Sequence, residues 1–234
     1  MTRDNETVAA LDALGAEMSL LKHPFYQQWS AGTLSAERLR NYAIQYYRHV
    51  AAFPRYLSAL HSRCDVLETR QVLLENLIEE ERGAGNHPEL WLRFAGALGV
   101  TREAVLAAEA LPAATALVAT FDHLSRALPL TAGLSALYVY ESQVAEVAGV
   151  KIDGLRRFYG FADGADSGGD TNETSGAKAD GTKFFEVHRA ADPDHARAIA
   201  GLIERHGGGA EDRAVALEAG RMALRAVWDL LDSV

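Results

Sequence analysis

The chain has 234 residues, 48% of them apolar, enough for one substantial core and too few for more than one or two domains. Its 32 acidic side chains outnumber 23 basic ones, for a formal charge of -9, and no Lys and Arg cluster suited to a phosphate backbone occurs, which excludes a nucleic-acid partner. Cys64 stands alone, so no intrachain disulfide forms; with no leader-like start and no uncharged apolar stretch of about 18 to 20 residues, a cytoplasmic protein that crosses no membrane is expected.

Apolar residues recur at helical spacing almost throughout, as in Leu39, Tyr42, Ala43, Tyr46, Tyr47, Val50 and Phe53. Alternating, strand-like runs are scarce, so the expected fold class is all-α in a single domain. In chain order, Ser35 starts one helix before Ala-Glu-Arg, its hydroxyl placed to accept a free amide proton. A later helix ends near Arg82, Gly83 and Gly85 break the chain, and the next helix starts at about His87, with Asn86 as its cap and Pro88 in an early helical position. Thr101 opens another before Arg-Glu. From about Thr131 to Tyr159 the pattern runs without proline, which predicts one long helix at the centre of the bundle. Residues 163–182 lose every apolar side chain except Ala and predict a mobile loop; a final helix pair, roughly Phe184 to His206 and Glu211 to Leu231, follows.

Three groups of residues carry possible chemistry. His188, Asp192 and His195 stand at i, i+4 and i+7, within a stripe of about 60° on one helix face. Two imidazoles and a carboxylate suit iron, manganese or zinc, unless the helix restarts at Pro193 and Asp192 becomes its cap. The run Glu79-Glu80-Glu81 ends a helix whose dipole it opposes, and a bound cation, with His87 as nitrogen ligand, would offset that cost. Glu141 shares a helix face with Leu137 and Ala148, where a lone carboxylate is expensive to bury and needs a metal or an arginine. Together these offer three carboxylates (Glu80, Glu141, Asp192) and three imidazoles (His87, His188, His195), a set that fits two divalent ions and O2 activation. No Glu-x-x-His motif of the ferritin-like kind is present.

Five segments in order resemble the haem-oxygenase-like dimetal oxidases, in the branch of the chlamydial protein associating with death domains. They are His23-Pro24-Phe25-Tyr26-Gln27-Gln28-Trp29, Tyr42 to Tyr47, Asn76-Leu77 through Asn86-His87-Pro88-Glu89-Leu90-Trp91, Tyr140-Glu141-Ser142-Gln143 through Lys151-Ile152, and Phe185 to His195. More distantly the chain is similar to the pyrroloquinoline quinone synthesis and thiaminase-like proteins. The resemblance implies a haem-oxygenase-like bundle of about seven to eight helices. It puts the family's ligands for two ions, iron or iron with manganese, on the same six residues. It also implies a homodimer that uses O2 and an external reductant to make p-aminobenzoate for folate, with Tyr26 as carbon source and Lys151 as amino donor. Tyr42 and Tyr140 match tyrosines that relay electrons or bond to bound oxygen. The chain departs from the family in its longer loop and in Phe184 and Phe185, which stand where a tyrosine is expected. On a straight helix, Lys151 lies about 15 Å along the axis from Glu141, so a bend or a place at the pocket edge is needed. The competing readings are oxidation of a small molecule, as in pyrroloquinoline quinone synthesis, and a non-enzymatic protein-binding module.

Overall fold

The computed structural model describes residues 5–161 and 181–234. Among them are ten α-helices and one 3-10 turn at Leu20–Lys22. The helices are α1 (Asn5–Glu17), α2 (Pro24–Ala31), α3 (Ala36–Arg63), α4 (Leu67–Glu81), α5 (His87–Ala97), α6 (Arg102–Ala107), α7 (Pro112–Arg126), α8 (Leu130–Phe158), α9 (Lys183–His206) and α10 (Ala210–Ser233). No strand occurs among the described residues. The ten helices exceed the seven to eight that the resemblance implies, and the shortest of them are α2 and α6, at 8 and 6 residues.

The helix starts lie where the capping side chains put them. Ser35, Asn86 and Thr101 accept the amide protons of Arg38, Glu89 and Ala104, each bond worth about 1 kcal/mol. His23 does the same for α2, accepting from Phe25 N at 3.0 Å while its other ring nitrogen faces Asp232 at 3.1 Å. Between α4 and α5 the chain turns through Gly83, whose φ of 74° suits a residue without Cβ.

The long helix is central, as its pattern predicts. Every residue of α8 from Thr131 to Val139 is buried, the state of a helix surrounded on all sides. α9 and α10 pack along it, while α3 packs against α4, α5 and α7. α2 comes close to α8 at Gly154, where a Cβ would collide with the Trp29 indole. Trp29 Nε1 donates to the Lys151 carbonyl at 3.2 Å, so this close approach fixes α2, and with it Tyr26, against the C-terminal third of α8.

α9 continues through Pro193, which makes Asp192 an interior helical position instead of a cap. Apart from Gly181 and Thr182, the expected loop at 163–182 lies outside the described residues. Cys64 is free and buried, and among the described residues no helix is long and apolar enough to cross a membrane.

Candidate metal centre

α4 buries Thr69, Leu73, Asn76 and Glu80, one face at helical spacing. Of the three adjacent glutamates only Glu80 therefore turns inward, while Glu79 and Glu81 are exposed. Beyond the Gly83 turn, His87 opens α5 and is buried beside it. His87 Nδ1 lies 2.8 Å from Glu80 Oε2, without hydrogen-bond alignment. Two ligand atoms each about 2.1 Å from a shared ion and at right angles would stand about 3 Å apart, close to this separation. His188 of α9 completes the cluster, and the ligand atoms of Glu80, His87 and His188 all lie within 4.8 Å of one another. The Phe184 carbonyl, 2.7 Å from His188 Nδ1, holds the proton there and leaves Nε2 as the electron-pair donor. Burial, reinforced by His87, pushes His188 well below the usual imidazole range, so the ring is neutral and able to ligate at pH 7.

Glu141 faces the same interior. A cavity of about 20 Å³ is bounded by His49, Glu80, His87, Tyr140, Glu141 and His188. That is room for about one water-sized occupant and far below the volume, about 300 Å³ or more, of sites for small organic ligands. Glu141 Oε1 accepts from Asn76 Nδ2 at 3.1 Å, whereas Glu141 Oε2 and Asn76 Oδ1 are buried without hydrogen bonds. Burial, opposed by Asn76 and reinforced by Glu80, raises the Glu141 carboxyl to about 8. A buried carboxylate oxygen without a partner, next to three gathered ligand atoms, is an arrangement that a cation would satisfy. The residues present therefore fit a metal.

His195 stands off this group, its Nε2 2.9 Å from Glu79 Oε2 and its side chain 13% exposed. The side chain of Asp192 lies outside the described residues. Of the six predicted ligands, then, Glu80, His87 and His188 come together, Glu141 shares their cavity, and His195 bonds to a neighbouring glutamate.

Lys151 lies in an aromatic cage instead of reaching toward the ligands. Its Nζ donates to the Tyr42 hydroxyl at 2.7 Å. The same atom is 5.3 Å from the Tyr26 ring centroid, 5.0 Å from Tyr42, 5.6 Å from Tyr46, 5.8 Å from Trp91 and 5.1 Å from Phe185. Ring faces favour the ammonium form, but burial outweighs them and draws Lys151 down to about 7. A row of phenols joins cage and cavity. Tyr140, at the cavity, has its hydroxyl 2.7 Å from that of Tyr46; the Tyr46 ring is 5.0 Å from Tyr42, and the Tyr42 and Tyr26 rings both flank the Lys151 amine. Burial raises Tyr26, Tyr42 and Tyr46 far above the usual phenol value, which keeps them protonated at neutral pH.

Tyr46, Asn76 and Trp91 stand in segments that carry the resemblance, but neither they nor His49 were expected as site residues from the sequence. A signal existed for three of them: Tyr46 and His49 follow Tyr42 at i+4 and i+7, and Asn76 precedes Glu80 by one helical turn.

Fold and site together define an all-helical bundle of the haem-oxygenase-like type with a carboxylate and imidazole cluster in its core. The chain belongs to the TENA/THI-4/PQQC family, whose profile matches residues 9–172. It is 44% identical over 223 residues to a 4-aminobenzoate synthase from Chlamydia muridarum, covering 95% of this chain and 87% of that protein. A TenA homologue from Pseudomonas syringae superposes with a TM-score of 0.77 at 19% identity, covering 99% of this chain and 91% of that one. A domain with a haem-oxygenase-like fold from Shewanella denitrificans gives 0.74 at 17% identity, covering 98% and 90%. At those identities the two structures speak to the fold alone.

Proposed function

We propose that this protein is a 4-aminobenzoate synthase of the O2-dependent, dimetal kind that draws its product from its own chain, with Tyr26 as carbon source and Lys151 as nitrogen source. The observation that carries the reading is the position of the Lys151 amine, 5.3 Å from the Tyr26 ring, in a sealed cage joined by phenols to a cavity too small for an organic substrate. The name of the Chlamydia muridarum relative supports the product.

Glu80, His87 and His188 would hold one ion. Glu141, with Asp192 and with His195 after it leaves Glu79, would hold the second. When bound, iron or iron with manganese supplies the one-electron chemistry that O2 activation needs, with an external reductant completing the cycle. The chain's own residues do the rest. The apolar wall of Phe184, Val50, Phe53 and Val144 restricts water at the cavity. Tyr140, Tyr46 and Tyr42 give oxidising equivalents a route from the cavity to Tyr26. The Tyr42 hydroxyl orients the Lys151 amine, and a pKa of about 7 leaves about half of that amine unprotonated and nucleophilic at neutral pH.

The test uses protein grown with ring-labelled tyrosine, loaded with iron and manganese and exposed to O2 and a reductant. Labelled p-aminobenzoate is expected from the wild type at no more than one equivalent, and none from Tyr26→Phe. Product from Tyr26→Phe at the wild-type level would reject the self-derived source.

A further inference from the structure

One buried group at the cavity has no part in that scheme. His49 of α3 is 1% exposed, and neither ring nitrogen has a hydrogen-bond partner. Its neighbours are rings from three helices: Tyr46, Phe53 and Tyr56 of α3, Phe121 of α7 and Tyr140 of α8, with centroids 4.8 to 5.9 Å away. An apolar side chain of similar volume would fill this space with no unmet nitrogen, and an unmet buried polar atom destabilises a fold. The remaining surface that His49 meets is the cavity shared with Glu80, His87, Tyr140, Glu141 and His188, with room for about one water-sized molecule.

We propose that His49 is the hydrogen-bond donor to the small exogenous molecule that seats one atom in this cavity, a water or the inner end of an anion of two or three atoms, and is not itself a metal ligand. The ring stands on the α3 side of the cavity, whereas the gathered ligands come from α4, α5 and α9. Burial depresses the imidazole to about 3, so at neutral pH it carries one N–H to donate and no charge that would repel a cation nearby. Since the donor is held by five packed rings, it needs no reorientation when the molecule arrives. The assignment rests on the metal reading above.

The experiment compares wild type, His49→Leu and His49→Gln in three measurements: metal content after loading with iron, azide affinity of the loaded protein from its charge-transfer absorption, and melting temperature of the metal-free protein. The expected result is unchanged metal content in all three. Azide should bind about tenfold more weakly to His49→Leu, while His49→Gln, which keeps a donor, stays within about threefold of wild type. The metal-free His49→Leu protein should melt about 2–6 °C higher, because the two unmet nitrogens are gone. A residue that served only packing would show no azide effect. Equal azide affinity in His49→Leu and wild type, or a loss of metal on substitution, would overturn the donor role alone. A wild-type protein that takes up no metal would overturn both this inference and the metal reading.

Discussion

Replacing Lys151 with Met probes the cage without touching the ligand cluster. Lys151 is 5% exposed, and burial lowers the pKa of its amine from 10.5 to about 7. At about 1.4 kcal/mol per pH unit, burying it costs the fold about 4–5 kcal/mol at and below pH 7. The sign follows from proton counting. Between pH 7 and 10.5 the unfolded chain holds the proton and the folded chain does not, so the cost shrinks as pH rises and vanishes above the unfolded value. The Met variant should therefore be more stable than wild type by about 4 kcal/mol at pH 7 and by only about 2 kcal/mol at pH 9. Loss of the Tyr42 bond lowers both figures by a similar amount, about 1 kcal/mol, and leaves the difference between them intact. Taking the variant minus wild type also cancels the contributions of Glu141 and the histidines. Urea unfolding of metal-free protein at pH 7, 8 and 9 measures the quantity directly. A stability difference that does not change with pH would mean that the amine keeps its proton in the fold, and would remove the basis for treating Lys151 as a neutral nucleophile.

Glu141, raised to about 8 by burial, holds its proton in the metal-free protein at pH 7 and must lose it to ligate. Calorimetric metal titrations in buffers of different ionisation enthalpy should show the release of roughly one proton more in wild type than in Glu141→Gln; equal release would place Glu141 outside the site. Because the folded value lies above the unfolded one, this group also lends stability below pH 4.5 that declines as pH rises through about 8, and Glu141→Gln should flatten that decline in metal-free protein. Gly154→Ala places a methyl group against the Trp29 indole, so a loss of about 1–3 kcal/mol in urea unfolding is expected. Lower p-aminobenzoate yield should accompany it, since α2 carries Tyr26. Unaltered stability would show that α2 can retreat from α8 at no cost.

Much of this could be read along the chain. Ser35, Asn86 and Thr101 mark helix starts because a cap is a bond between residues three apart, and the proline-free run near Thr131 to Tyr159 marks α8 because one surrounded helix needs no other pattern. The inward turn of Glu80 is equally local: it shares a face with Leu73 and Asn76, and its two neighbouring glutamates do not. Asn76 as partner of Glu141 and Tyr46 as the link between Tyr140 and Tyr42 were beyond such reading, since each joins two helices whose relative rotation no spacing within one helix specifies.

By itself the sequence determined the helical class, the helix starts and the residue types able to hold a cation, all consequences of contacts within one or two turns. The tertiary structure decided which of those residues meet: Glu80, His87 and His188 at one point, Glu141 across a water-sized space, His195 turned to Glu79, and Lys151 among aromatic rings. The reason is physical. Convergence of side chains from α3, α4, α5, α8 and α9 depends on how closely helices pack, and that distance is set by side chains such as Trp29 meeting bare backbone at Gly154, a contact between residues far apart in the chain.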